Sequence, residues 1–193
     1  MLTSGQIAHF GSFGFLVLKQ LFTPDETAVI KQEANEIFQE DREGRPFGGE
    51  ERYIQPFFER KPFLASLPAD DRIYSLGEQL LGPDFMLIAT EGNLHVGATS
   101  WHGGEKNNGE GSLPSIKIGI YPDRLTKETG CLRVVPGSHL VASPDLYEPL
   151  RKGNSTPFGM APEDVPCVPL ETWPGDVVVF LESMLHSSFW GKP

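Results

Sequence analysis

The sequence predicts a mainly β domain, a jelly roll with N-terminal helices packed outside it, and three observations carry that reading. From Phe85 onward short apolar runs are broken by Gly, Pro and Asn, the pattern of many brief strands joined by tight turns. Before Phe85 the apolar residues recur at helical spacing instead. No repeat or linker divides the 193 residues, a length that suits one domain (1–193) with a sizeable core.

The elements follow in order. Residues 3–11 suit a short helix capped by Thr3 or Ser4, leading to a strand at about 13–19. Thr23-Pro24-Asp25-Glu26 is a helix start, with Thr at the N-cap, Pro at the first helical position and Glu two places on. Ala28, Ile30, Ala34, Ile37 and Phe38 continue it as an imperfect stripe to about Asp41. Residues 42–56, rich in Gly, Arg and Glu, read as a loop, and helices at 60–66 and 70–81 end at Gly82-Pro83. Strands are expected at 85–90, 93–101, 115–121, 131–135, 165–170, 176–181 and 185–190. Residues 103–114 form either a mobile lid at the mouth of a site or an ordinary hairpin connection.

A net charge of −10 and a pI near 4.9 argue against a nucleic-acid polymer or an anionic membrane as partner. Two cysteines, Cys131 and Cys167, are too few for a disulfide framework. No basic segment followed by a long apolar stretch opens the chain, and no apolar run approaches spanning length. A soluble cytoplasmic protein acting on a small molecule is the expectation.

The chemistry concentrates in three motifs. Thr99-Ser100-Trp101-His102-Gly103-Gly104-Glu105 places a His in a strand context. Thr129-Gly130-Cys131-Leu132-Arg133-Val134-Val135-Pro136-Gly137-Ser138-His139 follows, then Trp173-Pro174-Gly175-Asp176 and an apolar strand before His186. In this order, with Gly14-Phe15-Leu16-Val17-Leu18 and Phe22-Thr23-Pro24-Asp25-Glu26 near the start, the motifs resemble the phytanoyl-CoA dioxygenase-like family of Fe(II)/2-oxoglutarate-dependent enzymes. The resemblance implies a double-stranded β-helix (cupin-like jelly roll), Fe(II), and 2-oxoglutarate as cosubstrate.

The chain has five His, and His102 and His186 are the expected metal pair. His95 lies an odd number of residues from His102, so one continuous strand would turn them to opposite faces. His139 belongs to a turn that the family uses structurally, and His9 is remote from the motifs. Trp101 is expected in the core or the pocket wall. Non-haem iron sites commonly hold the metal with two His and one carboxylate. Residues i and i+2 of a strand share a face, so the carboxylate would stand at position 104, where this chain has Gly104. Four readings stay open. The vacancy admits chloride, and the enzyme is similar to the family's halogenases, which carry Gly or Ala there. Glu105 is the third ligand, which requires the Gly pair to break the strand. An Asp was replaced deliberately. The protein binds no metal.

In that family an Arg on the strand after the second His pairs with the distal carboxylate of 2-oxoglutarate. The sequence reaches Gly191-Lys192-Pro193 before any such Arg, so a closing strand carrying it is expected beyond. Within the sequence, Lys117, Arg133 and Ser188 are the candidate cosubstrate contacts, with an outward salt bridge as the alternative for Arg133. Arg42, Arg45, Arg52, Arg60 and Lys61 could bind an anionic substrate group or form a charge-balanced surface with neighbouring Glu residues. The reading is an Fe(II)/2-oxoglutarate-dependent halogenase acting on an unactivated C–H bond. Its alternatives are a hydroxylase with an atypical ligand set and a non-catalytic cupin-like binding module.

Overall fold

A computed structural model describes residues 1–49, 52–94, 97–103, 114–140 and 157–191. Helix α1 (Ser4–Phe13) is closed by a capping box in which Thr3 and Gln6 bond each other's backbone N–H groups. It ends at Gly14, whose φ of 85° favours glycine. A Cβ at Gly14 would also lie 2.5 Å from Met184 Sδ and 2.6 Å from His139 Nδ1. The turn therefore packs directly on the segments before His186 and around His139.

Helix α2 (Pro24–Asp41) starts as expected, with Thr23 and Glu26 forming a second capping box. Arg72, near the start of α4 (Asp71–Leu81), bonds both Glu26 and Asp70 at 2.7 Å. The Arg72 guanidinium is the main reason that Glu26 is held down at about 2. The short helix α3 (Pro62–Ser66) lies between α2 and α4 in sequence.

The strands are β1 (Phe15–Leu18), β2 (Arg52–Ile54), β3 (Gly92–Leu94), β4 (Ile116–Tyr121), β5 (Leu132–Val134), β6 (Val168–Leu170), β7 (Asp176–Leu181) and β8 (His186–Ser188). They form three antiparallel sheets, ordered β1-β7-β4, β6-β5-β8 and β2-β3. Alternation along β7 divides the core. Val177 and Val179 face Ile30, Ile37, Phe38, Leu64 and Leu76 of the helices. Val178 and Phe180 face Val134, Leu170 and Met184 of the other side. The β7 sheet thus stands between a helical layer and the sheet that carries His186.

Three expectations need correction. More of the described residues lie in helices than in strands, so the fold is mixed α and β rather than mainly β. Residues 85–90 form no strand: Met86, Leu87 and Ile88 are exposed, and the run has no partner strand among the described residues. Apolar, β-prone residues give only a propensity, which pairing must realise. Conversely, the expected loop 42–56 contains β2, because β3 offers it a partner across a long sequence distance. Most of the 103–114 loop lies outside the described residues. No described helix is long and apolar enough to cross a membrane.

Asp176 sets the entry of β7. Its carboxylate is fully buried, and it accepts bonds from Lys19 Nζ (2.8 Å), Gln20 N (2.9 Å) and Trp173 N (2.9 Å). Burial pushes its pKa up, but the bonds from Lys19, Trp173 and Gln20 outweigh it and leave the group below its ordinary value. Asp176→Ala should therefore cost about 2 kcal/mol in urea unfolding at neutral pH, Lys19 being half exposed. Because the folded value is depressed, the contribution is present above the ordinary 3.8 and is lost as pH falls below it. The difference between wild type and variant should shrink in that acid range.

Candidate metal centre

Two backbone bonds place the candidate ligands. His102 N donates to His186 O at 3.0 Å, and His186 N donates to His102 O at 2.8 Å. Residues opposite each other in an antiparallel pair point to one face, and here the ring centroids are 4.1 Å apart with planes inclined at 57°. A second bridge joins Gly97 to Gly191 through two bonds of 3.1 Å. Between the bridges hydroxyls complete the ladder. Thr99 N donates to Ser188 Oγ at 2.9 Å, Ser188 N to Thr99 Oγ1 at 2.7 Å, and Ser187 Oγ to Thr99 O at 2.7 Å. The segment carrying His102 is strapped to β8 along its length, with Ser188 Oγ accepting from Thr99 N and Thr99 Oγ1.

Each ring is oriented by the carbonyl two residues before it. His102 Nδ1 lies 2.8 Å from Ser100 O, and His186 Nδ1 lies 2.8 Å from Met184 O. A carbonyl only accepts, so Nδ1 carries the proton and Nε2 keeps its lone pair. Ligating His residues commonly use their other nitrogen in this way. His186 is buried, and its pKa is pushed down to about 4, first by burial and then by His102, with Lys117 adding to the effect. It is neutral at pH 7. Two adjacent imidazoles with Nε2 available suit a divalent transition metal.

No third Asp, Glu or Cys joins the pair among the described residues. Gly104 and Glu105, on which the halide and Glu-ligand readings turn, lie outside the described residues, as does His95. His139 is buried with Nε2 at 3.2 Å from Gly11 O, and His9 meets the Phe13 ring at a tilt and the Phe15 ring edge-on. Neither approaches the pair.

Of the candidate cosubstrate contacts, Lys117 faces the site. It stands opposite Phe180 in the β4–β7 pair, and the Phe180 ring meets the His186 ring edge-on at 4.9 Å. Its Nζ lies 3.4 Å from Glu91 Oε1, and Glu91 Oε2 lies 3.0 Å from the Tyr53 hydroxyl. The sequence reading singled out neither Glu91 nor Tyr53. They are far from Lys117 along the chain and share no motif with it.

Arg133 does not face the site, which corrects the expectation. It pairs with Ser187 across β5 and β8, whereas His186 pairs with Val134, so alternation turns Arg133 to the opposite face. There it is buried between the rings of Trp101 (4.6 Å) and Phe189 (4.8 Å), with Nε donating to Ser187 Oγ at 3.3 Å. It makes no salt bridge among the described residues. Trp101 is itself buried and donates to Pro162 O at 2.8 Å. Arg133→Ala should lower stability by about 2 kcal/mol through lost stacking, read as a fall in Tm. It should leave the Kd for 2-oxoglutarate within about twofold of wild type, whereas an Arg on the cosubstrate would lose far more.

Residues 10–190 match the family described as phytanoyl-CoA dioxygenase. An ectoine dioxygenase of Sphingopyxis alaskensis is 26% identical over 153 residues, covering 72% of this chain and 50% of that protein. Another, from Streptomyces anulatus, is 29% identical over 141 residues, covering 65% and 48%. The chain spans about half the length of the curated relatives it matches. The crystal structure of HygX from Streptomyces hygroscopicus with nickel and 2-oxoglutarate bound is similar at a TM-score of 0.82 and 21% identity, over 100% of this chain and 83% of that one. At that identity the likeness is one of fold.

Proposed function

We propose that this chain, which belongs to the phytanoyl-CoA dioxygenase family, carries the centre of a non-haem Fe(II)/2-oxoglutarate-dependent oxidoreductase acting on a small molecule. The observation that carries the proposal is the His102–His186 bridge, with both Nδ1 atoms engaged and both Nε2 atoms available. Fe(II) and 2-oxoglutarate, when bound, would let the site activate dioxygen, the oxidant, with 2-oxoglutarate giving up two electrons as it becomes succinate and CO2 and the substrate C–H bond giving up the other two.

The chain's own residues bind and orient. His102 and His186 would hold the metal through Nε2. Phe180 covers one edge of His186 and keeps water from it. Among the described residues Lys117 is the cation that would meet the distal carboxylate of 2-oxoglutarate, beside the Arg expected on a closing strand. The two facing sheets, read as a double-stranded β-helix, keep these groups on one inner surface.

Gly104 supports the finer reading, halogenation. Without a side chain at position 104 the protein offers no carboxylate there, and chloride restores both the missing ligand and the missing negative charge. The names of the relatives, ectoine dioxygenases, favour a second reading in which the product is hydroxylated.

Anaerobic loading with Fe(II) and 2-oxoglutarate, exposure to oxygen with and without chloride, and mass spectrometry against a metabolite panel test both. The proposal expects succinate formation that is lost in His102→Ala and His186→Ala, and a chlorinated product only with chloride. Gly104→Asp should abolish chlorination while retaining iron, and Glu105→Ala should leave iron affinity nearly unchanged. Turnover indifferent to chloride, with iron lost in Glu105→Ala, would replace the halogenase with the hydroxylase. Absence of iron binding and of succinate would leave the binding-module reading.

A further inference from the structure

Glu91 is an anion where the proposed reaction has no evident use for one. The site is electropositive by construction: Lys117 faces the ring pair that would hold a divalent metal. Yet the ammonium is already paired, with Glu91 Oε1 at 3.4 Å. Glu91 comes from the residue just before β3, and its other oxygen is held by Tyr53 of β2 at 3.0 Å. The Tyr53 hydroxyl lies 3.0 Å from Glu91 Oε2 and 2.7 Å from Gln55 Oε1, so its one proton is shared between the two acceptors, and the contact with Glu91 is the main reason that the Tyr53 pKa is raised. The adjoining Gly92 packs its backbone directly on buried Phe57, where a Cβ would run into the ring.

Three features mark the ion pair as displaceable. Its 3.4 Å separation exceeds the roughly 2.7–2.9 Å of a strong charge-assisted bond. The Lys117 and Glu91 side chains are 39% and 34% exposed, so water competes with the contact. When Lys117 leaves, Glu91 still has the Tyr53 hydroxyl at 3.0 Å, shared with Gln55 Oε1, and at 34% exposure it also meets water, so it is not stranded.

We infer that Glu91 is the resting counter-ion of Lys117 and that 2-oxoglutarate displaces it, the distal carboxylate taking the ammonium while Glu91 falls back on Tyr53. This rests on the functional reading above, in which Lys117 receives the cosubstrate. Glu91 then acts as an affinity-setting residue: it competes with the dicarboxylate and repels it, and so weakens its binding.

Calorimetric titration of 2-oxoglutarate into the Ni(II)-loaded protein tests the inference. Glu91→Gln keeps the size of the side chain and removes its charge. It should lower Kd about threefold to fivefold, the scale of one weak surface ion pair. Kd should also rise more steeply with salt in this variant, since binding then creates a charge pair instead of exchanging one. Glu91→Ala should shift Kd in the same direction, which keeps the test open if the amide disturbs the fold. Lys117→Met should raise Kd at least about tenfold. Unchanged or weaker binding in both Glu91 variants overturns the counter-ion role, and an unchanged Kd in Lys117→Met removes its premise. Wild-type protein that holds Ni(II) but takes up no 2-oxoglutarate would sink the functional reading itself, a result distinct from any pattern among the variants.

Discussion

The reciprocal backbone bonds between His102 and His186 are the constraint on which the site depends. They do more than bring two side chains near each other. An antiparallel bridge fixes which face both rings share, and a slip of one residue would turn His102 to the other side, where Trp101 and Arg133 lie. The carbonyls of Ser100 and Met184 then choose the tautomer, so the same backbone that sets position also sets which nitrogen is presented. The hydroxyls of Thr99, Ser187 and Ser188 act between the two bridges and oppose such a slip.

The surrounding packing serves this arrangement from two sides. On the inner side, Phe180 of the buried strand β7 meets His186, and the neighbouring strand β4 places Lys117 opposite Phe180. On the outer side, Arg133 lies between Trp101, the residue before His102, and Phe189, the residue after β8. A buried cation on aromatic faces is an unusual core element, and here it joins the two segments that carry the histidines. Gly14, Met184 and His139 close the remaining side, where the end of α1 approaches too closely for any side chain at Gly14.

Local signals were legible in the sequence, and long-range ones were legible only where a motif carried them. The Thr23–Glu26 capping box and the start of α2 follow from four adjacent residues. β4 and β7 emerge from their own apolar patterns, β7 as the buried central strand of its sheet and β4 as its long antiparallel neighbour. The His102–His186 juxtaposition depends on residues far apart, and it was reachable only through the order of the motifs. β2 was missed for the opposite reason: a three-residue strand owes its existence to β3 and carries little pattern of its own. Arg133 sits in a motif run, but its face depends on the register with Ser187, which no spacing within that run reveals. The Tyr53–Glu91–Lys117 chain has no linear signature, since three separate elements supply one residue each.

The central claim is that these two imidazoles form a metal centre. Anomalous diffraction at the iron edge from anaerobically grown, Fe(II)-loaded crystals tests it most directly. The account predicts one iron peak within bonding distance of Nε2 of both His102 and His186, at roughly 2.0–2.2 Å by analogy with zinc–imidazole bonds. A peak elsewhere in the molecule, or one held by only one of the two rings, would contradict it.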